Sequence, residues 1–381
     1  MHTTHGRVFL RAAWVGTTGL AAVLMLLAPT TSSAQTTAQH AGWGYGFNVQ
    51  LQHYDKVARS NIIGDVTQAG FNWMTQQMEW QAVETAPGNY DFAQLDLIVG
   101  DGNAAGLNIL LSFAHAPVFY RSPTSGLMPA DPSTFGQFMQ AVATRYAGKV
   151  QAYELWNEEN LDREAGTGNV DPSTYLPLLE AGYNAVKAAD PAAKVLLGAP
   201  SPTTSNVDGV TMDDLSYLQN LYAINGGEAI GFFDGLSAHP SGFSNPPDCT
   251  PATPECSLSA AWNTDDSFFA FTRISEYHDV MVQNGDGAKP IWITEFGYCS
   301  NTPPPPGYEY CKYITEQQQA QFLVQAFGIA RQLPYVAAMF QWNLNFQLDV
   351  PQTDEKWGFA IVRKDYSGRP AYFSLLGMPK P

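Results

Sequence analysis

Basic residues are scarce in this chain of 381 amino acids. Lysine and arginine number 19 against 35 aspartates and glutamates, which gives a formal net charge of −16. An acidic surface repels nucleic acids and anionic membranes, and strongly anionic polymers too unless basic residues cluster locally. We therefore expect no nucleic-acid partner, and a neutral substrate is the simplest expectation. Charged residues make up only 14% and hydrophobic residues 45%, so the chain is not disordered and has ample material for a large core.

Long apolar runs are missing beyond the N-terminus. Near the start, two arginines introduce a mostly apolar run at 12–27, and small residues follow as far as Ala34. This pattern is typical of a secretory signal peptide. A membrane anchor is the alternative, but the run contains two Thr and two Gly and is shorter than the roughly 20 residues that a span requires. We therefore expect a signal peptide at 1–34, a flexible segment at 35–40, and a secreted protein, extracellular or periplasmic, that leaves the membrane after cleavage.

Cysteine is rare, and its four occurrences form two local pairs. An even number in an exported chain favours disulfides. Of the three possible connectivities we predict Cys249–Cys256 and Cys299–Cys311, because each bond would close one loop. A zinc site is the alternative, but the spacings are not CxxC and no histidine lies close in sequence to either pair.

The chain also lacks a repeat motif, a linker that would divide it, and a Gly-rich nucleotide fingerprint after the first strand. Short apolar runs alternate instead with amphipathic stretches. Helical periodicity is clearest at 133–148, 171–191 and 315–334, with Gly148 as a C-terminal cap and Thr315 as an N-terminal cap. The apolar runs predict eight strands, at 43–49, 71–78, 107–113, 150–156, 194–199, 233–239, 290–296 and 337–344.

Eight strand–loop–helix units favour an α/β protein with a parallel (β/α)₈ TIM barrel. Such barrels form one domain of roughly 250 residues or more, so we expect a single domain at 41–381. A doubly wound open sheet is the rival fold, and the missing nucleotide fingerprint weakens it.

Acidic residues follow two of the predicted strands. The stretch "QAYELWNEEN" places Glu158 and Glu159 after the fourth strand, and "PIWITEFGYCS" ends the seventh with Glu295. In these barrels the chemistry lies at the C-terminal ends of the strands. A glycosidase needs two carboxyl groups there, one protonated to assist the leaving oxygen and one ionised to attack the anomeric carbon. We expect Glu159 to form a loop salt bridge or to start a helix, and a contact with the substrate is the alternative.

The motifs "WNE" and "ITEFG", after a fourth and a seventh strand, resemble the signature of glycoside hydrolase clan A. The segments "WQAVETAPGNYDFAQLD", "RYAGKVQAYELWNEEN", "SAHPSGF" and "GRPAYFSL" are together similar to secreted bacterial enzymes near families 39 and 5 of that clan, over most of 41–381. The resemblance implies a retaining enzyme with Glu158 as acid/base, Glu295 as nucleophile and Asn157 at the 2-hydroxyl of the sugar.

Further strand ends carry candidate substrate-binding residues. Many clan members have an Arg at the end of strand two, whereas this sequence has Gln76 and Gln77, whose amides donate more weakly to a carboxylate. His115 and His239 follow the third and sixth strands, and we expect them to hydrogen-bond around the −1 sugar. Three more candidates are Trp342 as an aromatic platform under the sugar rather than core packing, Asn48 in the mouth, and Tyr298 either hydrogen-bonded to the nucleophile or packed in its loop.

The sequence thus predicts a secreted, monomeric, retaining β-glycoside hydrolase, endo-acting on a neutral or weakly charged polysaccharide. Long loops at 240–264 and 298–314 would wall an extended cleft. The alternatives are an exo-acting β-glycosidase such as a β-xylosidase, and a carbohydrate-binding pseudoenzyme, against which the presence of both glutamates argues. No cofactor is expected. No metal is expected either, because a metal-dependent barrel enzyme would place His, Asp and Glu at ligand spacing on several strand ends.

Overall fold

Eight parallel strands close into a barrel in a computed structural model of the protein, in which residues 42–123, 125–250, 253 and 270–380 are described. Each strand pairs with its neighbours in chain order, and the first pairs with the last. The predicted (β/α)₈ barrel is therefore confirmed, and all eight predicted strands are present. They are β1 (Gly44–Asn48), β2 (Trp73–Glu79), β3 (Asn108–Ala114), β4 (Ala152–Leu155), β5 (Lys194–Leu197), β6 (Gly235–Ala238), β7 (Ile291–Phe296) and β8 (Val336–Gln341).

Each strand is followed by a helix. The predicted cap at Thr315 forms a capping box with Gln318, whereas the helix Ser133–Arg145 ends three residues before Gly148. Short helices at Asp162–Ala165 and Glu355–Phe359 lie in the loops after β4 and β8. The main helices are α1 (Lys56–Gln68), α2 (Ala93–Ala104), α3 (Ser133–Arg145), α4 (Pro172–Ala189), α5 (Asp214–Ala223), α6 (Ile274–Gln283), α7 (Glu316–Ala330) and α8 (Pro370–Gly377).

The N-terminal end of the barrel interior is filled by an apolar plug that is separate from the main core between strands and helices. The rings of Trp73 and Trp292 meet edge to face, 5.1 Å between centroids. A Cβ at Gly46 would lie 2.1 Å from the ring of Phe340, so the glycine makes room for that ring. The plug consists of Trp73, Leu110, Ala152, Leu196, Trp292, Ala338 and Phe340.

Polar side chains lie above the plug inside the barrel. The hydroxyl of Thr294 donates to Oε1 of Glu154 at 2.8 Å, and both side chains are buried. Alternate residues of a strand face the same side. Along a regular strand, every second residue beyond the plug therefore also points into the barrel. Toward the C-terminal mouth many of these inward side chains are polar or aromatic.

The predicted Cys299–Cys311 disulfide is present and closes the loop after β7. Cys256 of the other predicted pair lies outside the described residues, as do the predicted signal peptide at 1–34 and the segment at 35–40. In the described part of the chain, no helix has both the length and the apolar character to cross a membrane.

Candidate active site

A cavity of about 920 Å³ opens at the C-terminal mouth of the barrel, and both predicted catalytic glutamates, Glu158 and Glu295, line it. Tyr298 lies apart from it, because the side chain is fully buried and packs against the rings of Phe296 and Phe322. Six predicted substrate-binding residues line the same cavity: Asn48, Gln77, His115, Asn157, His239 and Trp342.

A β-bulge in β7 directs Glu295 into the cavity. After Ile293 the pairing with β8 slips by one residue, so that Phe296 rather than Glu295 takes the next partner. Thr294 reaches Glu154 inside the barrel, and Glu295, the next residue, also faces inward. The side-chain amide of Asn48 donates to the carbonyl of Thr294 at 2.9 Å and holds the bulge in place. Bulges re-aim side chains next to active sites in this way.

Three residues at the strand ends adopt left-handed backbone conformations. The φ angles are +58° at His115, +79° at Trp156 and +45° at Glu158. Non-glycine residues enter this region at a cost of about 1–3 kcal/mol each, and such residues cluster at functional sites. The backbone amide of Glu158 donates to the carbonyl of Ala199 at 3.0 Å, which stabilises the turn that follows β4.

His239 stands between the two glutamates. Its Nδ1 lies 3.2 Å from Oε1 of Glu158 and 4.0 Å from Oε2 of Glu295, while its Nε2 is buried and has no hydrogen-bond partner among the described residues. The other oxygen of Glu158 accepts a hydrogen bond from Arg163 at 2.5 Å. In the described residues the carboxylate of Glu295 makes no hydrogen bond, so Glu158 has two strong partners and Glu295 has only the more distant imidazole.

This asymmetry separates the pKa values of the two carboxyl groups. Burial disfavours the charge of Glu158, but the hydrogen bond with His239 and the charge of Arg163 outweigh it and lower the pKa to about 2. Burial raises the pKa of Glu295 to about 8; His239 opposes that rise, and the negative charge of Glu158 adds to it. Burial would lower the pKa of His239, but Glu295 and Glu158 raise it to about 9. Near neutral pH the arrangement favours an ionised Glu158 and a protonated Glu295, the reverse of what the predicted roles need.

Glu159, next along the chain, has a different environment. It is fully buried, and no side chain of the described residues hydrogen-bonds to either carboxylate oxygen, so the expectation of a salt bridge or a helix start is wrong. A Cβ at Gly198 would lie 2.7 Å from its Oε2, so this glycine gives the carboxyl group its space. Burial, with the charges of Glu154 and Glu158, raises the pKa of Glu159 to about 8.

Several cavity residues were missed by the sequence analysis. Two of them are Glu164 and Glu79, which lie 2.9 Å and 3.6 Å from the ring of His115. The hydrogen bond with Glu164 raises the pKa of His115. Arg163 and Glu355 also line the cavity. The one available signal was position, since "DREA" follows the "NEEN" motif almost directly.

Two residues that are predicted to contact the substrate, Asn157 and Trp342, line the cavity. The amide of Asn157 faces the cavity without a hydrogen bond to the described residues. The indole of Trp342 is held by edge contacts with Phe359 and Phe346, 5.0 and 5.8 Å between ring centroids. A Cβ at Gly297 would lie 2.0 Å from the carbonyl oxygen of Trp342, so the ends of β7 and β8 approach each other closely there.

The predicted amide donors at the end of β2 do not reach the nucleophile position. The Gln76 amide donates to Gln50 and to the carbonyl of Gln77. Gln77 is exposed at the cavity and makes no hydrogen bond to Glu295. The role that the clan usually gives to an arginine is thus unfilled at this strand end in the described residues.

No protein-family model matches the sequence. The chain is similar to a solved family 39 glycoside hydrolase from the gut symbiont Bacteroides cellulosilyticus WH2, with a TM-score of 0.66 and 19% identity, over 89% of this chain and 64% of that one. It is also similar to xylanase 10B from Thermotoga petrophila RKU-1 in complex with xylobiose, with a TM-score of 0.57 and 16% identity, over 88% and 94%.

An exo-β-1,4-mannosidase from Opitutaceae bacterium strain TAV5 is a third similar structure, with a TM-score of 0.60 and 14% identity, over 88% of this chain and 59% of that one. The chain spans less than two thirds of the family 39 enzyme and of the mannosidase. The predicted resemblance to clan A barrels is therefore confirmed at the level of the fold.

Proposed function

We propose that the protein is a retaining β-glycoside hydrolase that cleaves a polysaccharide at internal bonds. One observation carries this proposal: Glu158 after β4 and Glu295 on β7 face the same cavity on either side of His239. A pair of carboxyl groups flanking a sugar-sized space is the machinery of glycoside hydrolysis.

The proposed reaction has two steps. Glu158 donates its proton to the glycosidic oxygen while Glu295 attacks the anomeric carbon, which breaks the glycosidic bond and forms a glycosyl ester. Glu158 then removes a proton from water, and the water oxygen displaces Glu295 with retention of configuration. Asn157 holds the 2-hydroxyl, and the indole of Trp342 stacks on the C–H face of the sugar.

The shape of the mouth supports an extended substrate. The cavity volume lies near the top of the range of small-molecule sites. Tyr308 and Tyr310 of the disulfide-closed loop wall one side, and Phe243 of the loop after β6 adds to the wall. The likeness to a xylanase bound to xylobiose supports a β-linked polymer, and the likeness to an exo-mannosidase favours exo action as the second candidate.

Export to an oxidising compartment completes the proposal. The basic start, apolar run and small residues at 1–34 are the features of a signal peptide. The Cys299–Cys311 bond agrees with secretion, because structural disulfides persist in oxidising environments.

Replacement of the nucleophile tests the function. We expect Glu295→Ala to lose about 10⁴-fold or more in kcat, because no group remains to form the glycosyl ester. Azide or formate should restore turnover by taking the place of the carboxylate and should yield a glycosyl azide or formate with the configuration inverted. Full activity of the variant without the anion would rule out the assigned role. Sizing of the wild-type products on a polysaccharide panel separates endo from exo action.

A further inference from the structure

Arg163 is a charged residue in the cavity to which the proposed reaction gives no role. It lies on the short helix Asp162–Ala165, five residues after Glu158, and 57% of its side chain is exposed. Its Nη2 contacts Glu158 at 2.5 Å, and its Nε lies 3.8 Å from Glu164. The guanidinium is thus bound to the predicted acid while its side chain has open space to move.

The contact with Arg163 works against the proton donation that Glu158 must perform. A carboxylate that accepts a charge-assisted hydrogen bond from a guanidinium is stabilised in its ionised form. Glu158 has to be protonated before it assists the leaving group. Arg163 must therefore leave Glu158 in each catalytic cycle.

His239 is placed to stabilise the ionised form of Glu295 after Arg163 has left Glu158. Its Nδ1 contacts Glu158 at 3.2 Å and lies 4.0 Å from Glu295, so a small rotation changes which carboxylate it serves. With Arg163 absent, Glu158 loses one of its two cationic partners. The proton of the pair then moves from Glu295 to Glu158, and His239 stabilises the ionised Glu295. No proton enters or leaves the pair.

Glu164 is already paired with His115 at 2.9 Å, so Glu355 is the acidic group that remains as a new acceptor for Arg163. It lies on the short helix after β8 and lines the same cavity. No ion pair joins it to Arg163 in the described part of the chain, but each of the two charges acts on the pKa of the other group. Burial raises the pKa of Glu355 to about 7, and Arg163 only partly opposes that rise. A closer approach by Arg163 would therefore stabilise the ionised form of Glu355.

We propose that Arg163 is a positioning residue that determines which catalytic carboxyl group carries the proton, and that Glu355 receives Arg163 when it leaves Glu158. This inference rests on the proposed function. The titratable and charged groups that face Arg163, Glu158, Glu295 and Glu355 are Glu154, Glu164, His115, His239, Tyr308, Asp354 and Lys356.

A double-mutant cycle tests the inference in the full-length mature protein. The variants are Arg163→Gln, Glu355→Gln and the two combined, assayed on an alkyl glycoside or disaccharide whose poor leaving group requires protonation. We expect Glu355→Gln to lower kcat by about tenfold, because Arg163 then loses this acceptor and stays on Glu158. The double variant should match Arg163→Gln, since removal of the arginine makes Glu355 unnecessary.

The pH profile supplies a readout that a merely structural role would not change. Without Arg163 the pKa of Glu158 rises, so the alkaline limb of kcat/KM should move to higher pH in Arg163→Gln and return to its wild-type position in Arg163→Lys. Arg145→Gln breaks a comparable ion pair with Asp96 on the outer surface and should leave both kcat and the profile unchanged.

Additive losses in the double variant, or an unchanged alkaline limb in Arg163→Gln, would overturn the inference. Unfolding temperatures of all variants show whether a loss reflects misfolding. Anion rescue of Glu295→Ala on the same substrate keeps the two hypotheses separate, because it supports the hydrolase function whatever the outcome of the cycle.

Discussion

The two ends of the barrel interior differ in polarity: one is apolar and the other carries charged groups. The N-terminal end is closed by the apolar plug, in which Trp73, Trp292 and Phe340 fill the space and Gly46 leaves room for the ring of Phe340. The C-terminal end holds Glu158, Glu295 and His239, whose charges compete for a few partners. The plug needs only shape and volume, whereas every group in the mouth depends on the protonation of its neighbours.

This difference separates stability from chemistry within one barrel. Buried apolar rings contribute to folding without changing with pH, and their cost on removal is that of a cavity. Buried carboxyl groups with few partners disfavour folding but have the shifted pKa values that acid and base catalysis uses. Substitutions at the mouth should therefore affect turnover, and substitutions in the plug should affect unfolding.

The largest expected effect is at the mouth. Glu158→Gln should lower kcat by about 10²–10⁴-fold on substrates with poor leaving groups, because no proton can be donated. The loss in the first step should be much smaller for an aryl glycoside whose leaving group needs no proton. Glu159→Gln makes the same change one residue further on, away from the cavity, and should retain wild-type kcat. Equal losses in both variants would break the comparison.

The next effect is at the plug. Phe340→Ala should lower the free energy of unfolding by about 3–5 kcal/mol, because it leaves a cavity among rings that cannot collapse into it. Phe373→Ala is the matched control, since that ring on α8 is 60% exposed, and its effect should stay within about 0.5 kcal/mol. Chemical denaturation measures both. A similar effect at the two positions would mean that the plug is not where stability resides.

The smallest effect sharpens the boundary between the two ends. Burial holds the pKa of Glu159 at about 8 in the folded protein, whereas in the unfolded chain it returns to its ordinary value near 4.5. Between these values the unfolded state releases a proton that the folded state keeps, so this residue lowers stability as pH rises from about 4.5 to 8.

Glu159→Gln should remove this pH dependence and raise the free energy of unfolding at pH 6 by roughly 2 kcal/mol. The gain should shrink toward pH 4.5. Glu180→Gln on α4 is the control, because that side chain is only half-buried. A stability curve for Glu159→Gln that runs parallel to the wild type at every pH would contradict the assignment.

The strands and the positions of the glutamates were predictable because both depend on local pattern. Runs of apolar residues mark the strands, and acids directly after such runs mark the mouth. The β-bulge at Thr294 and Glu295 was not predictable, since regular alternation would have turned Glu295 outward. The burial of Glu159 depends on the space left by Gly198 on the next strand, and the pairing of Arg163 with Glu158 depends on loop geometry. Neither feature can be predicted from the local sequence pattern.

The contact between Gly297 and the backbone of Trp342 limits how this protein can be re-engineered. A side chain at position 297 would have to displace the main-chain carbonyl of Trp342, and the indole of that residue with it. A library meant to change the accepted sugar should therefore leave this glycine untouched and diversify Phe243, Tyr308 and Tyr310, whose side chains border the opening.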